Sequence, residues 1–157
     1  MRISIINVGK TQETYLKEGM AIFEKRIRHY APLDMLYLFE ARKVKNQSSD
    51  MQKDGEGKIL LMALQKVDQP VLLDAGGKQL DSVGFSVFIQ NAMSRGTRNL
   101  GFIIGGPFGF SGEVLTAVQE RLSLSMMTFS HQLVRLVFLE QLYRAFTILH
   151  GEPYHHE

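Results

Sequence analysis

The side chains best suited to chemistry lie close to the end of the chain. Glu140 and Arg144 stand four residues apart with the acid first, the favourable order for an ion pair on a helix. Arg144 can alternatively face a ligand and hold a phosphate or a reacting base. The tail beyond Gly151 contains Tyr154, which can stack on a nucleobase, and His155, which can donate to a phosphate or move a proton. An unstructured tail is the alternative interpretation of this segment.

Metal and thiol chemistry find little support in the sequence. The chain has no cysteine, which excludes a thiolate nucleophile and cysteine-based zinc sites. A metal site at His155, His156 and Glu157 would have no further ligands at a suitable spacing. We therefore expect no metal.

Two glycine segments indicate where a ligand can approach the backbone. Gly76-Gly77 follows one apolar run, and the sequence GGPFG at residues 105–109 follows another. Pro107 stands where the dinucleotide motif G-x-G-x-x-G needs its second glycine, and the P-loop's Gly-Lys-Ser/Thr ending is absent. Dinucleotide and ATP binding thus lose their best support, although a tight turn between a strand and a helix remains an alternative for this loop.

The elements that must position these residues alternate between strand-like and helix-like patterns. This alternation predicts one domain, residues 1–157, of the α/β class: a mainly parallel sheet with helices on both faces. Thr11, Asp50 and Asp81 are candidate helix caps, and a polar, basic loop is expected from Glu40 to Asp50, facing RNA or acting as a lid. The predicted strands are Arg2 to Val8, Leu33 to Phe39, Pro70 to Asp74, Leu100 to Ile104 and Ser123 to Ser130, and the last helix runs from His131 to His150.

Ligands of such sheets bind beyond the carboxyl ends of the strands. The loops that leave the third, fourth and fifth predicted strands, the first of them a turn at residues 75–78, should therefore line one pocket. Because that pocket would be built mainly from backbone groups, it suits a neutral or zwitterionic adenosine ligand.

The last helix is apolar around almost its whole circumference. A helix of this kind must be covered on all sides. We expect one side to pack on the sheet and the other on a second copy of the chain, in a two-fold homodimer.

Net charge excludes few partners, but hydropathy excludes a membrane-spanning segment. The net charge of +2 neither requires nor forbids nucleic acid, and the basic clusters near Arg26, Arg42 and Arg95 are either solvated faces or phosphate contacts. The N-terminus lacks the apolar core of a signal peptide, and Arg135 interrupts the longest apolar run. A cytoplasmic protein is expected.

Several motifs together resemble the ribosomal RNA large subunit methyltransferase H family, a small bacterial branch of the SPOUT methyltransferases. They are GGPFG, SLSMMTFSHQLVRLVFLEQLYRAF and GEPYHH, joined by ISIINVGK and LLDAGGKQLDS, so that the resemblance covers essentially the full length. It implies a C-terminal part tied in a deep trefoil knot. It also implies that the cofactor S-adenosylmethionine (SAM) is bound in a bent form at the loops of that knot.

The resemblance further implies which residues form the site. Ser130, a predicted contact, stands where many relatives have proline. The implied cofactor contacts are Leu73, Gly105, Gly106, Ser125, Met126, Met127, Thr128, Phe129 and Ser130.

The reaction implied is methylation of N3 of the pseudouridine at position 1915 of 23S rRNA, in assembled 70S ribosomes. N3 is a protonated imide, so the protein must position it and stabilise the uridine anion that forms. Arg144, Tyr154 and His155 are the expected catalytic residues, with His155 as the only plausible base. A ribosome-binding module without cofactor and a SPOUT enzyme acting on tRNA are the alternatives.

Overall fold

In a computed structural model of the protein, residues 1–39 and 48–154 are described. Their strands and helices alternate along the chain as predicted. The elements are β1 (Arg2–Val8), α1 (Thr14–Ile27), β2 (Leu33–Leu38), α2 (Ser49–Leu64), β3 (Gln69–Gln79), α3 (Ser82–Ser94), β4 (Asn99–Ile104), α4 (Gly112–Ala117), β5 (Arg121–Ser123) and α5 (Leu133–Leu149).

The five strands form one parallel sheet in the order β2-β1-β4-β3-β5. Alternate side chains of the central strands enter two separate cores, as the two-residue period of a strand requires. Ile3, Ile5 and Phe102 join the core beneath α1, α3 and α5, whereas Ile6 and Ile103 join the core beneath α2 and α4. The prediction of a parallel α/β sheet with helices on both faces is confirmed. The trefoil knot stays a prediction.

Two predicted boundaries at the ligand edge of the sheet are wrong. The expected turn at residues 75–78 is instead a continuation of β3, which shifts register between Leu73 and Lys78 and then pairs with β5 again. The fifth strand ends at Ser123 rather than Ser130, because Ser123 and Ser125 make local hydrogen bonds that turn the chain out of the sheet. We call residues 124–132 the exit loop.

The helix caps are only partly as expected. Asp81 caps α3 as predicted, by accepting a hydrogen bond from the Gly84 amide at 2.6 Å. Ser48, rather than Asp50, accepts from the Met51 amide and begins α2. Thr11 does not cap α1. The predicted loop from Glu40 to Asp50 lies mostly outside the described residues, and its end belongs to α2.

Helix α5 packs between α1 and α3 on one face of the sheet. Its buried residues include Phe138, Leu142 and Phe146, while Val134, Val137 and Tyr143 are only partly buried. Much of its apolar circumference is therefore covered within one chain. The part left over is the surface available to a second copy.

Candidate cofactor pocket and C-terminal site

A cleft of about 230 Å³ opens where β4 and β5 end, beside the register shift within β3. Its position beyond the carboxyl ends of parallel strands β4 and β5 agrees with the expected pocket. The lining residues are 73–75 after the first part of β3, 104–107, 109 and 110 after β4, and 122–125, 127–129, 131 and 134 from β5 to the first turn of α5.

Packing around this cleft is so close that a Cβ atom would overlap neighbouring atoms at two glycines, against backbone at Gly77 and against a side chain at Gly106. A Cβ at Gly77 would lie 2.6 to 2.7 Å from backbone atoms of Arg121 and Leu122. A Cβ at Gly106 would lie 2.4 Å from the Oε2 atom of Glu56, a buried carboxylate on α2. The cleft wall formed by Gly106 is thus held from behind by a helix of the opposite layer.

The structure brings most of the predicted cofactor contacts to this cleft. Met126 and Ser130 do not line it: Met126 is 92% exposed, and the Ser130 hydroxyl accepts from the Leu133 amide at 3.1 Å as α5 begins. Ser130 thereby satisfies the first backbone amide of α5. The predicted contacts in the lining are Leu73, Gly105, Gly106, Ser125, Met127, Thr128 and Phe129.

Several lining residues were not predicted as contacts. Asp74 and His131 contribute polar groups, and Phe110 contributes an apolar wall. Burial, together with the charge of Arg135, lowers the pKa of the His131 imidazole, which is therefore neutral at neutral pH. Asp74 follows the apolar run of β3 directly, and that position was the signal that could have identified it.

Arg135 anchors the start of α5 to the end of β1. Its guanidinium is 1% exposed and donates to the Val8 carbonyl at 2.6 Å and to the Thr11 hydroxyl at 2.9 Å. Burial lowers the pKa of this guanidinium. A third contact joins the same segments, since the Gln12 amide donates to the Gln132 side chain at 2.7 Å. Thr11 therefore serves this anchor instead of capping α1.

Arg144 and Tyr154 meet at the far end of α5. The predicted ion pair is confirmed, with Glu140 Oε1 accepting from Arg144 Nη2 at 2.6 Å. The same carboxylate oxygen accepts from the Tyr154 hydroxyl at 3.2 Å, and the guanidinium lies 4.9 Å from the centre of the Tyr154 ring. Burial, and then the neighbouring Glu140 charge, raise the pKa of the Tyr154 phenol.

The tail is held against the helices as far as Tyr154. The Glu152 amide donates to the Thr147 carbonyl at 2.9 Å, and the Tyr30 hydroxyl donates to the Glu152 carboxylate at 2.6 Å. Gly151 has a φ of 66°, the left-handed conformation that ends a helix, as its sequence position predicted. His155 lies outside the described residues.

The cleft and the Arg144–Tyr154 pair are separated along α5. Val134 lines the cleft, and Arg144, which lies over the Tyr154 ring, follows ten residues later. Ten residues of helix span roughly 15 Å along the axis. One chain alone therefore keeps its two groups of candidate residues apart.

Two kinds of site are absent from the described residues. Within residues 1–39 and 48–154, no group of three or more potential ligands could hold a metal ion. In the same part of the chain, no helix is both long and apolar enough to cross a membrane.

Solved structures resemble this fold at low sequence identity. A probable methyltransferase from Bordetella pertussis Tohama I is 9% identical with a TM-score of 0.57, over 92% of this chain and 96% of that chain. A putative methyltransferase from Legionella pneumophila, solved with its bound cofactor SAM, is 16% identical with a TM-score of 0.50, over 92% and 66% of the two chains. These similarities concern the fold.

Sequence comparison is more specific. The family described as predicted SPOUT methyltransferase matches residues 1–155. Proteins named ribosomal RNA large subunit methyltransferase H from Parabacteroides distasonis and Flavobacterium johnsoniae are each 46% identical over 157 residues, all of both chains. One from Cytophaga hutchinsonii is 47% identical over 156 residues, 99% of this chain and 100% of its own. The chain therefore belongs to the SPOUT methyltransferases, within the ribosomal RNA large subunit methyltransferase H family.

Proposed function

We propose that this protein is a SAM-dependent methyltransferase of the cytoplasm that modifies 23S rRNA. The finer proposal is that it methylates N3 of pseudouridine 1915 in assembled 70S ribosomes. The observation that carries the proposal is the cleft at the carboxyl ends of β4 and β5 and the register shift of β3, in a chain whose full-length relatives bear the name of an rRNA methyltransferase.

The lining of the cleft suits SAM in polarity and in charge. Leu73, Ile104 and Phe110 give it apolar walls for an adenine ring, and Gly105 and Gly106 expose backbone groups that can bind polar atoms. Among its lining residues, all of which are described, Asp74 is the only aspartate, glutamate, lysine or arginine. A carboxylate without a competing lysine or arginine suits a ligand that carries a sulfonium and an ammonium group, and disfavours a phosphate ligand.

The proposed cofactor contacts are the nine residues named from the resemblance. Seven of them line the cleft and hold the ligand directly: Leu73, Gly105, Gly106, Ser125, Met127, Thr128 and Phe129. In this proposal, Met126 and Ser130 contact the ligand from the exit loop. When bound, SAM supplies an electrophilic methyl group, and the protein's task is to position the acceptor nitrogen and exclude water.

Arg144 and Tyr154 are proposed to act on the base. The Arg144 guanidinium can stabilise the negative charge that develops on the pyrimidine as N3 loses its proton. Tyr154 keeps its phenolic proton, because its pKa is raised, and donates it to Glu140, so that the phenolic oxygen can accept a hydrogen bond from an N–H group of the base. Glu140 binds both residues through one oxygen and so fixes their relative position. His155 remains our proposed proton acceptor.

The complete site is proposed to need two copies of the chain. Because the cleft and the Arg144–Tyr154 pair are roughly 15 Å apart along α5, we infer that the pair of one protomer serves the cleft of its partner. The partly buried apolar residues of α5 provide the surface for such a dimer. This arrangement accounts for a helix that is apolar well beyond the stripe that one core requires.

The decisive experiment is a methyl-transfer assay with labelled SAM. The substrates are 70S ribosomes, 50S subunits and naked 23S rRNA, each from cells that lack this modification, and the modified position is then mapped. Methyl transfer to N3 of pseudouridine 1915 in 70S ribosomes is the expected result. Transfer to none of the three substrates would overturn the proposed function.

A second experiment tests the shared site. Gly106→Val, which obstructs the cleft, and Arg144→Ala, which leaves it intact, are each expected to be inactive. Dimers that combine the two variants should regain activity, because one of their two sites has an intact cleft and an intact arginine. If the mixed dimers stay inactive, the shared site is wrong, although the reaction itself is not affected by that outcome.

A further inference from the structure

A second arginine, Arg26, lies beside the C-terminal site and stacks on two aromatic rings. Arg26 is exposed near the end of α1, and its guanidinium carbon is 5.6 Å from the ring centre of Phe23 and 5.4 Å from that of Tyr143. Contacts of this kind restrict the rotamers of a long side chain while they leave its outer N–H groups available. We call these three residues the Arg26 platform.

The Arg26 platform is continuous with the proposed catalytic residues. The ring of Tyr143 meets the ring of Tyr154 edge-on, with 4.7 Å between their centres. The Arg144 guanidinium lies 4.9 Å from the centre of the Tyr154 ring. Arg26 and Arg144 thus flank one pair of tyrosine rings. A nucleotide whose base reaches Tyr154 and Arg144 would have its backbone within reach of α1.

The acids near the Arg26 platform are already engaged in other contacts. Glu140 accepts from Arg144 and Tyr154, and Glu152 accepts from Tyr30. Glu24, half-buried on the same turn of α1, interacts with the charge of Arg28. The guanidinium of Arg26 is therefore placed against aromatic rings, beside carboxylates that already have partners of their own.

We propose that the Arg26 platform binds a backbone phosphate of the RNA next to the target nucleotide. A guanidinium can take a phosphate through two parallel hydrogen bonds, and a stacked guanidinium is held ready to do so. The neighbouring exposed Lys25 and Arg28 strengthen the local positive potential. This inference rests on the proposed function and adds where the protein grips its RNA.

The test compares Arg26→Ala and Arg26→Lys with the wild-type protein. Lys66→Ala is the control, because it removes one exposed positive charge beside the core on the opposite face of the sheet. Binding to 70S ribosomes from cells lacking the modification is measured over a range of salt concentrations. Methyl transfer gives kcat and KM, and calorimetric titration gives SAM affinity.

Arg26→Ala should weaken ribosome binding by about fivefold or more, and the slope of log affinity against log salt should fall by about 1. Arg26→Lys should keep the salt slope but bind more weakly than wild type, because it keeps the charge and loses the planar stacking group. SAM affinity should stay within about twofold in every variant, because neither Arg26 nor Lys66 lines the cleft.

Equal ribosome binding by Arg26→Ala, Lys66→Ala and wild type would overturn the inference. A loss of binding without any change in salt slope would also overturn it, because that result indicates a structural defect. If the wild-type protein binds ribosomes with a normal slope but transfers no methyl group, the proposed function fails instead. The two ideas are thus separated by one set of measurements.

Discussion

Replacing Gly106 by alanine should weaken cofactor binding, by an amount that the structure allows us to estimate. The added Cβ would lie 2.4 Å from Glu56 Oε2 and 2.8 Å from Oε1, whereas ordinary contact begins at 3.4 Å. Glu56 is 6% exposed and accepts from the Gln52 side chain at 2.8 Å, so moving its carboxylate would break that hydrogen bond. Either the carboxylate or the glycine loop must shift by about 1 Å, and a shift of the loop is directed toward the cleft.

Overpacking of this kind costs about 1–3 kcal/mol. If the strain is relieved by moving the loop into the ligand's space, SAM affinity should fall by about 5-fold to 150-fold, at 1.4 kcal/mol per factor of ten. Calorimetric titration with SAM measures this loss directly. Urea unfolding shows how much of the cost falls on stability instead.

Gly112→Ala is the matched control, since a Cβ there meets no atom within 4 Å. A second variant tests the cause of the effect. Glu56→Ala removes the carboxylate that the new methyl group meets, so in the Gly106→Ala background it should recover part of the lost affinity. The coupling energy in the double-mutant cycle should exceed about 0.5 kcal/mol. Wild-type affinity in Gly106→Ala, or strict additivity in the cycle, would refute the reasoning.

Three further predictions follow from the hydrogen bonds and pKa shifts. Glu140→Gln should lower kcat about tenfold or more, as expected when bonds to charged groups are lost, with SAM affinity unchanged; a parallel loss of SAM affinity in titrations would contradict this. Asp81→Ala should lower the free energy of unfolding by about 1 kcal/mol in urea, because the Gly84 amide loses its cap, while Asp81→Asn should retain most of it. The pKa of the Tyr154 phenol should lie above 10.0 in the folded protein. Its contribution to the free energy of unfolding is therefore complete below pH 10 and is lost as the pH rises through that folded-state pKa. Ultraviolet titration of wild type against Tyr154→Phe checks this, and ionisation below pH 10 would exclude it.

The layout of the fold was readable from the sequence because its signals are local. Unbroken apolar runs such as Val71 to Leu73 in β3 mark strands covered on both faces, and Asp81 and Gly151 mark helix ends by their own chemistry. The ion pair of Glu140 and Arg144 depends only on a spacing of four residues along a helix.

Boundaries at the ligand edge were not readable in the same way. Ser123 to Ser130 has the composition of a strand, but its serines form local bonds and its methionines face outward. Thr11 has the composition of a cap, but a buried guanidinium from the other end of the chain uses its hydroxyl. In the first case local side-chain hydrogen bonds, and in the second a contact between distant segments, override the structure that composition predicts.

The sequence by itself determined the fold class, the family and the chemical types available at each site, because motifs and periodicity lie within short stretches of chain. The tertiary structure alone decided which of these residues meet. It placed Glu56 behind Gly106, Tyr30 against the tail and Arg26 beside Tyr143, across separations that no periodicity encodes. It also separated the cleft from the Arg144–Tyr154 pair, because the ends of β4 and β5 form the cleft at the start of α5, whereas the tail folds back and places Tyr154 against Arg144 further along that helix.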